Sequence, residues 1–142
     1  MTEYKVARIG LLGTGAIGRG LAMAVDRGLI GPVKLESVFD QYTHTAQSLS
    51  DQLTYKPNVC QSFQDFIDDD STSLIVEAAS QKAAIEYSPQ VLSSGKDMMI
   101  MSSGALLDTR CFQEISRLQA QNGSRLFVPS GAIGGIEAIR AS

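Results

Sequence analysis

Apolar and polar positions along this chain fall into blocks that switch period, and the switches mark the elements. Residues 6–12 form a short apolar run with β-branched members, the pattern of a strand buried on both faces. Over 16–27 the spacing turns helical, with Ile17, Leu21, Ala24 and Val25 recurring near one face, and Gly28 and the turn Gly31-Pro32 end it. A second strand runs over 33–39 and ends at Asp40. Residues 43–53 predict a helix with Thr43 as its N-cap, and Pro57-Asn58 breaks the pattern. A short strand follows at 59–61. Phe63, Phe66 and Ile67 then form a helical turn ahead of Asp68-Asp69-Asp70. The run 74–79 is again of the buried-strand type. Residues 81–94 read as helix, but Pro89 inside it predicts a kink or two short helices, the second capped by Ser88, with Gly95 closing. A strand at 98–101 leads into the loop Ser102-Ser103-Gly104. Asp108 caps a helix carrying Phe112, Ile115 and Leu118 on one face, ended by Asn122-Gly123, and a last strand spans 125–128.

Strands alternating with helices specify an α/β fold in which a doubly wound parallel sheet is covered on both faces, with right-handed crossovers. The 142 residues suit one domain, and 44% hydrophobic with 19% charged residues is an ordinary globular composition without repeats or low-complexity segments. The net charge of −3 offers no electrostatic basis for holding nucleic acid or an anionic membrane, and no apolar run is long enough to span a bilayer. The first ten residues lack a signal-peptide core, because Lys5 and Arg8 interrupt it. Cys60 and Cys111 are too far apart in sequence for a metal clip and read as small thiols of a reduced, cytoplasmic protein. With a single histidine, His44, no multi-histidine metal site is expected.

The chemistry concentrates at Gly13-Thr14-Gly15-Ala16-Ile17-Gly18, directly after the first strand and opening the first helix. In such a turn Gly13 permits the tight bend, Gly15 lets backbone approach a pyrophosphate, and Gly18 lets helix pack on strand, while the helix N-terminus offers free N–H groups. Asp40 ends the second strand 22 residues beyond Gly18, where an acid can accept hydrogen bonds from adenosine ribose hydroxyls. Gln41-Tyr42-Thr43 brings no cation for a 2′-phosphate, which favours NAD over NADP, although Arg19 is a cation within reach of the turn. A methyltransferase reading is weaker, since Ile9-Gly10-Leu11-Leu12 has no acid before the glycines. The arrangement is that of a Rossmann-type dinucleotide fold. Small polar loops follow three further strands, at 78–81, 102–105 and 129–132, where a nicotinamide ribose and ring can approach backbone.

Together with the glycine motif, the segments Glu77-Ala78-Ala79-Ser80-Gln81, Ser102-Ser103-Gly104-Ala105 and Val128-Pro129-Ser130-Gly131-Ala132-Ile133-Gly134-Gly135 resemble the L-aspartate dehydrogenase family along the whole chain. The resemblance implies hydride transfer from the α-carbon of L-aspartate to NAD or NADP. The product, iminoaspartate, hydrolyses to oxaloacetate and ammonia or feeds nicotinamide nucleotide synthesis. It implies that Gly13, Gly15, Ala16 and Ile17 hold the pyrophosphate and Asp40 the adenosine ribose. Ala79, Ser80, Gly104 and Ala105 would flank the nicotinamide half, and Ser130, Gly131 and Ala132 would meet the substrate pocket. Family members are longer and carry the catalytic histidine in a second domain. Residues 1–130 are therefore expected to be the NAD(P)-binding domain and 131–142 the start of that second domain, with no catalytic residue and no metal site here and no activity alone. A relative of the homoserine dehydrogenase or dihydrodipicolinate reductase type, or a non-enzymatic dinucleotide module, stays open beside it. Ile133, Ile136 and Ile139 are expected to pack on a second domain or on another copy of the chain in a homo-oligomer. His44 reads as an exposed helix-start residue, Met98, Met99 and Met101 as core, Lys82 and Lys96 as surface charges. Glu77, a carboxylate closing a buried-type strand, either shapes the nicotinamide loop or bonds nearby backbone N–H groups.

Overall fold

The computed structural model describes residues 3–129. Six strands form one sheet in the order β3-β2-β1-β4-β5-β6, and every neighbouring pair is parallel. They are β1 (Ala7–Leu12), β2 (Val33–Phe39), β3 (Asn58–Val59), β4 (Leu74–Glu77), β5 (Asp97–Ile100) and β6 (Leu126–Phe127). The helices between them are α1 (Ala16–Asp26), α2 (Thr43–Gln52), α3 (Phe63–Ile67), α4 (Gln81–Ser93) and α5 (Thr109–Asn122), with a 3-10 turn over Ser103–Leu107. This is the Rossmann-type α/β arrangement that the alternating pattern predicts, and its strand order reverses between β1 and β4.

The central strands are apolar throughout because both faces are covered. Ile9 and Leu11 of β1, with Val76 of β4 and Met99 of β5, pack under α1 and α2 beside Ala22, Ala46 and Leu49. The alternate residues Leu12, Ile75, Met98 and Ile100 face Phe66, Ala84, Val91, Leu92 and Ile115 from α3, α4 and α5. Gly10 lies on this second face, where a Cβ would come within 2.9 Å of the Phe66 ring. Register brings the strand ends level: Leu12 is opposite Phe39 and Glu77, and Glu77 is opposite Ile100. The residues that follow these ends, Gly13, Asp40, Ala78 and Met101, therefore share one edge.

Several local expectations change. The strands predicted at 59–61, 74–79, 98–101 and 125–128 are shorter or shifted by a residue or two. Thr43 is not the cap of α2; that position belongs to Tyr42, whose carbonyl accepts from the Thr45 hydroxyl. Helix α4 runs unbroken through Pro89, and Ser88 caps nothing, its hydroxyl donating back to the Ala84 carbonyl. The buried stripe Ala84, Ser88, Val91 and Leu92 holds α4 on the sheet on both sides of the proline. A helix so anchored tolerates the hydrogen bond that proline removes, a loss of about 3 kcal/mol in an isolated helix. Lys96 is not a free surface charge: its ammonium donates to the carbonyls of Asp69 and Thr72, each at 2.8 Å, and closes the loop ahead of β4. Asp108 does cap α5, accepting from the Cys111 N–H, and Gly123 ends it in the left-handed region. The expectations for residues 130–142, including the boundary near 130 and the isoleucines 133, 136 and 139, lie outside the described residues.

Candidate functional site

The turn after β1 is built by glycines with different duties. Gly13 has φ +97°, and a Cβ there would sit 2.7 Å from the Ala79 Cα, so only glycine fits between β1 and the loop after β4. At Gly18 a Cβ would lie 2.1 Å from the Gly13 carbonyl oxygen, so this residue lets α1 seat on the turn. Gly15, the N-cap of α1, is different: a Cβ there meets nothing within 4 Å. The protein itself does not demand glycine at this position. The N–H groups of the first turn of α1 have no partner within the helix. Open space above unpaired N–H donors suits the close approach of an anion, and a pyrophosphate fits it.

Asp40 is tied into this turn. Its Oδ2 accepts from the Thr14 N–H at 2.8 Å and the Thr14 hydroxyl at 2.9 Å, and its Oδ1 accepts from the Tyr42 N–H at 2.9 Å. Burial pushes the carboxyl up, but the hydrogen bonds from the Tyr42 and Thr14 backbone and from the Thr14 hydroxyl outweigh it and hold the group below its ordinary range. Oδ2 is saturated by two donors, whereas Oδ1 keeps a lone pair for a further one.

These residues line a cleft of about 480 Å³ at the reversal of strand order, with Leu12, Phe39, Gln41 and Thr45 on one side and Ala78, Lys82, Ala83, Glu86 and Tyr87 on the other. Of the residues singled out in the sequence, Gly13, Gly15, Asp40, Ala79 and Ser80 line it. Ser80 uses its hydroxyl to cap α4, accepting from the Ala83 N–H. Ala16 and Ile17 lie on the exposed first turn of α1, and Ile17, expected on the packed face, is 63% exposed. Gly18 is buried behind the turn, Ala105 is fully buried in the core, and Gly104 lies under the Gln81 side chain. Ser130, Gly131 and Ala132 lie outside the described residues. Thr14 and Thr45 were not singled out, although Thr14 stands inside the glycine motif and its hydroxyl could have flagged a tie to Asp40. Lys82 is exposed, as expected of a surface charge, and lines the cleft. Arg19 points elsewhere, donating to the Gln52 side chain at the far end of α2. His44 is exposed beside Tyr42.

Behind the cleft Glu77 is completely buried. Its carboxylate accepts from the Ala79 N–H at 2.7 Å, the Ser102 N–H at 3.0 Å and the Ser102 hydroxyl at 2.9 Å. Of the two alternatives raised by the sequence, this is the second: Glu77 bonds nearby backbone N–H groups, those of Ala79 and Ser102. A second hollow of about 430 Å³ at α1 and β2 is lined mainly by apolar groups such as Val25, Leu35 and Leu53. Its carboxylate, Asp26, is already taken by the N–H groups of Thr54 and Tyr55. Among the described residues no cluster of histidine, cysteine and acidic side chains could hold a metal ion, and no helix is long and apolar enough to cross a membrane.

Residues 13–129 match the family model described as "Homoserine dehydrogenase, NAD binding domain". The chain is 40% identical over 134 residues to an L-aspartate dehydrogenase of Methanocaldococcus jannaschii, covering 94% of this chain and 49% of that protein. It is 38% identical over 135 residues to one of Methanocella arvoryzae, covering 95% and 48%. Among solved structures, the aspartate dehydrogenase of Thermotoga maritima matches with a TM-score of 0.64 and 25% identity, over 97% of this chain and 51% of that one. The chain spans about half the length of the curated relatives it matches.

Proposed function

The chain belongs to the family of the homoserine dehydrogenase NAD binding domain, and from that footing we propose that it is the cofactor-holding half of an enzyme that oxidises L-aspartate. The observation that carries the reading is the glycine turn, open above Gly15 and coupled through Thr14 to Asp40 at the point where the strand order reverses. In this reading Gly13, Gly15, Ala16 and Ile17 hold the pyrophosphate, with Gly18 seating the helix that presents the N–H donors. The remaining lone pair of Asp40 Oδ1 takes an adenosine ribose hydroxyl. Ala79, Ser80, Gly104 and Ala105 shape the nicotinamide side, and Ser130, Gly131 and Ala132 border the substrate. The dinucleotide, when bound, supplies the hydride acceptor.

L-Aspartate as substrate is supported by relatives of that name at 38% and 40% identity. The family model's own description keeps homoserine as the second candidate. Substrate profiling of the full-length protein separates them. The loops after β4 and β5, at 78–80 and 101–103, carry no titratable side chain, and Glu77 behind them is wholly buried and already accepts three hydrogen bonds. Hydride transfer from an amine needs a positioned substrate and a group to take the amine proton. In this reading the chain alone binds cofactor and does not oxidise aspartate. Its free, buried thiols fit a reduced, cytoplasmic setting.

Titration with NADH and, separately, NADPH, followed by nicotinamide fluorescence, tests the reading. Saturable NADH binding that Asp40→Ala weakens is expected, with NADPH weaker because Lys82 is the one Lys or Arg among the described cleft-lining residues. If neither dinucleotide binds, or if Asp40→Ala leaves NADH binding unchanged, the assignment of this cleft is wrong. Reduction of NAD by the chain with L-aspartate would overturn the division of labour.

A further inference from the structure

A wholly buried carboxylate is costly unless its lone pairs are filled, and the strand that Glu77 closes is otherwise apolar. Among the described residues no ion pair involves Glu77. Its compensation comes from two loops, the one its own strand runs into and the one after β5. The carboxylate holds Ala79 after β4 and Ser102 after β5, and the Glu77 carbonyl accepts from the Met101 N–H at 3.1 Å. On the other side the Ala78 N–H donates to the Leu12 carbonyl at 2.8 Å, and Ala79 abuts Gly13. One side chain thus fastens the β4 loop to the β5 loop.

Asp40 performs the corresponding task for the other half of the cleft, fastening the glycine turn to the β2 loop. The two clips share no residue. Asp40 lies on the side where the adenosine ribose is assigned, Glu77 behind the loops assigned to the nicotinamide half. We propose that Glu77 is a positioning residue for the nicotinamide half of the dinucleotide, acting through Ala79 and Ser102 and independent of the adenosine half. The inference rests on the dinucleotide reading of the cleft.

The test compares NADH with ADP, which carries the adenosine half and no nicotinamide. In Glu77→Gln the amide nitrogen faces one of the N–H donors, so one hydrogen bond to a loop is lost. NADH binding by the chain should weaken about tenfold, the effect of one charge-assisted hydrogen bond, while the Kd for ADP stays within about twofold. Ser102→Ala, which removes only the hydroxyl donor, should give the same split with a smaller factor, and it carries the test if Glu77→Gln does not fold. Equal weakening of NADH and ADP would make Glu77 a merely structural residue and overturn the inference, as would unchanged binding of both. If the unsubstituted chain binds ADP and gains nothing from the nicotinamide half, the inference fails while the adenosine site stands. If it binds neither, the dinucleotide reading fails and takes the inference with it.

Discussion

Gly15→Ala separates what the fold needs from what a ligand needs. The Gly15 backbone has φ −73° and ψ −162°, a region open to any L-residue, and the added methyl meets nothing within 4 Å. Replacing glycine in a compatible conformation stabilises by about 0.4–1 kcal/mol through the unfolded chain. Alanine is a poorer N-cap than glycine, which offsets a similar amount. The net change in stability should lie within about 1 kcal/mol, or roughly 4 °C in Tm for a chain of this size. The methyl nevertheless stands where a pyrophosphate would approach the helix N-terminus. Losing one hydrogen bond to a charged group costs about 1.5–3 kcal/mol, which weakens NADH about ten- to a hundredfold. Thermal unfolding and NADH fluorescence titration on the same preparation read both quantities. Normal NADH binding by Gly15→Ala would refute the placement of the phosphates, and a Tm loss well beyond 4 °C would refute the claim of open space. Gly18→Ala is the contrast, because its methyl collides with the Gly13 carbonyl oxygen and the fold itself should suffer.

The lowered pKa of Asp40 makes its contribution present above the ordinary carboxylate pKa near 3.9 and lost as pH falls through the lower folded value. Urea unfolding from pH 6 down to about pH 2 should therefore show a shallower acid loss in Asp40→Asn than in the parent, and parallel curves would count against the hydrogen bonds described. Phe66 is fully buried between Gly10 and the rings of Phe39 and Phe63, so Phe66→Ala should cost about 3–5 kcal/mol in urea unfolding. A loss under about 1 kcal/mol would mean that the site collapses freely. Burial first, then Asp69 and Asp65, pushes the Cys60 thiol up to about 11, and burial raises Cys111 as well. Neither thiol should react with an aromatic disulfide near neutral pH until the chain is unfolded, and rapid native reaction would contradict their burial.

The strand-helix alternation, the glycine turn and Asp40 were legible because each is written locally: a change of period, a motif between strand and helix, an acid at a strand end. What was not legible depends on neighbours remote in sequence. Pro89 predicts a broken helix, but its flanking stripe is anchored by the sheet below. Ile17 has helical spacing, yet it faces outward because Gly18 and Ala22 take the contact with the sheet. Lys96 and Lys82 look alike as isolated cations; one is spent on two carbonyls across a turn, the other stands at the cleft. One donor to Glu77 is local, the Ala79 N–H, but Ser102 comes from the loop after β5, a meeting that only the β4–β5 pairing arranges.

That order has a consequence for how the molecule opens. β1 to β3, with α1 and α2, form one run of chain, and β4 to β6, with α4 and α5, form the next. Within the sheet the two runs join along one seam, the ladder pairing Ile9–Leu12 with Leu74–Glu77, and both cores pack across it. Parting that seam is the natural subglobal opening of such a sheet. The cleft spans the seam, with Gly13 to Gly15 on one bank and Ala78 to Ser80 on the other. Whatever binds both banks acts as a staple, slowing amide exchange along β1 and β4 together and linking occupancy of the cleft to the unity of the whole domain.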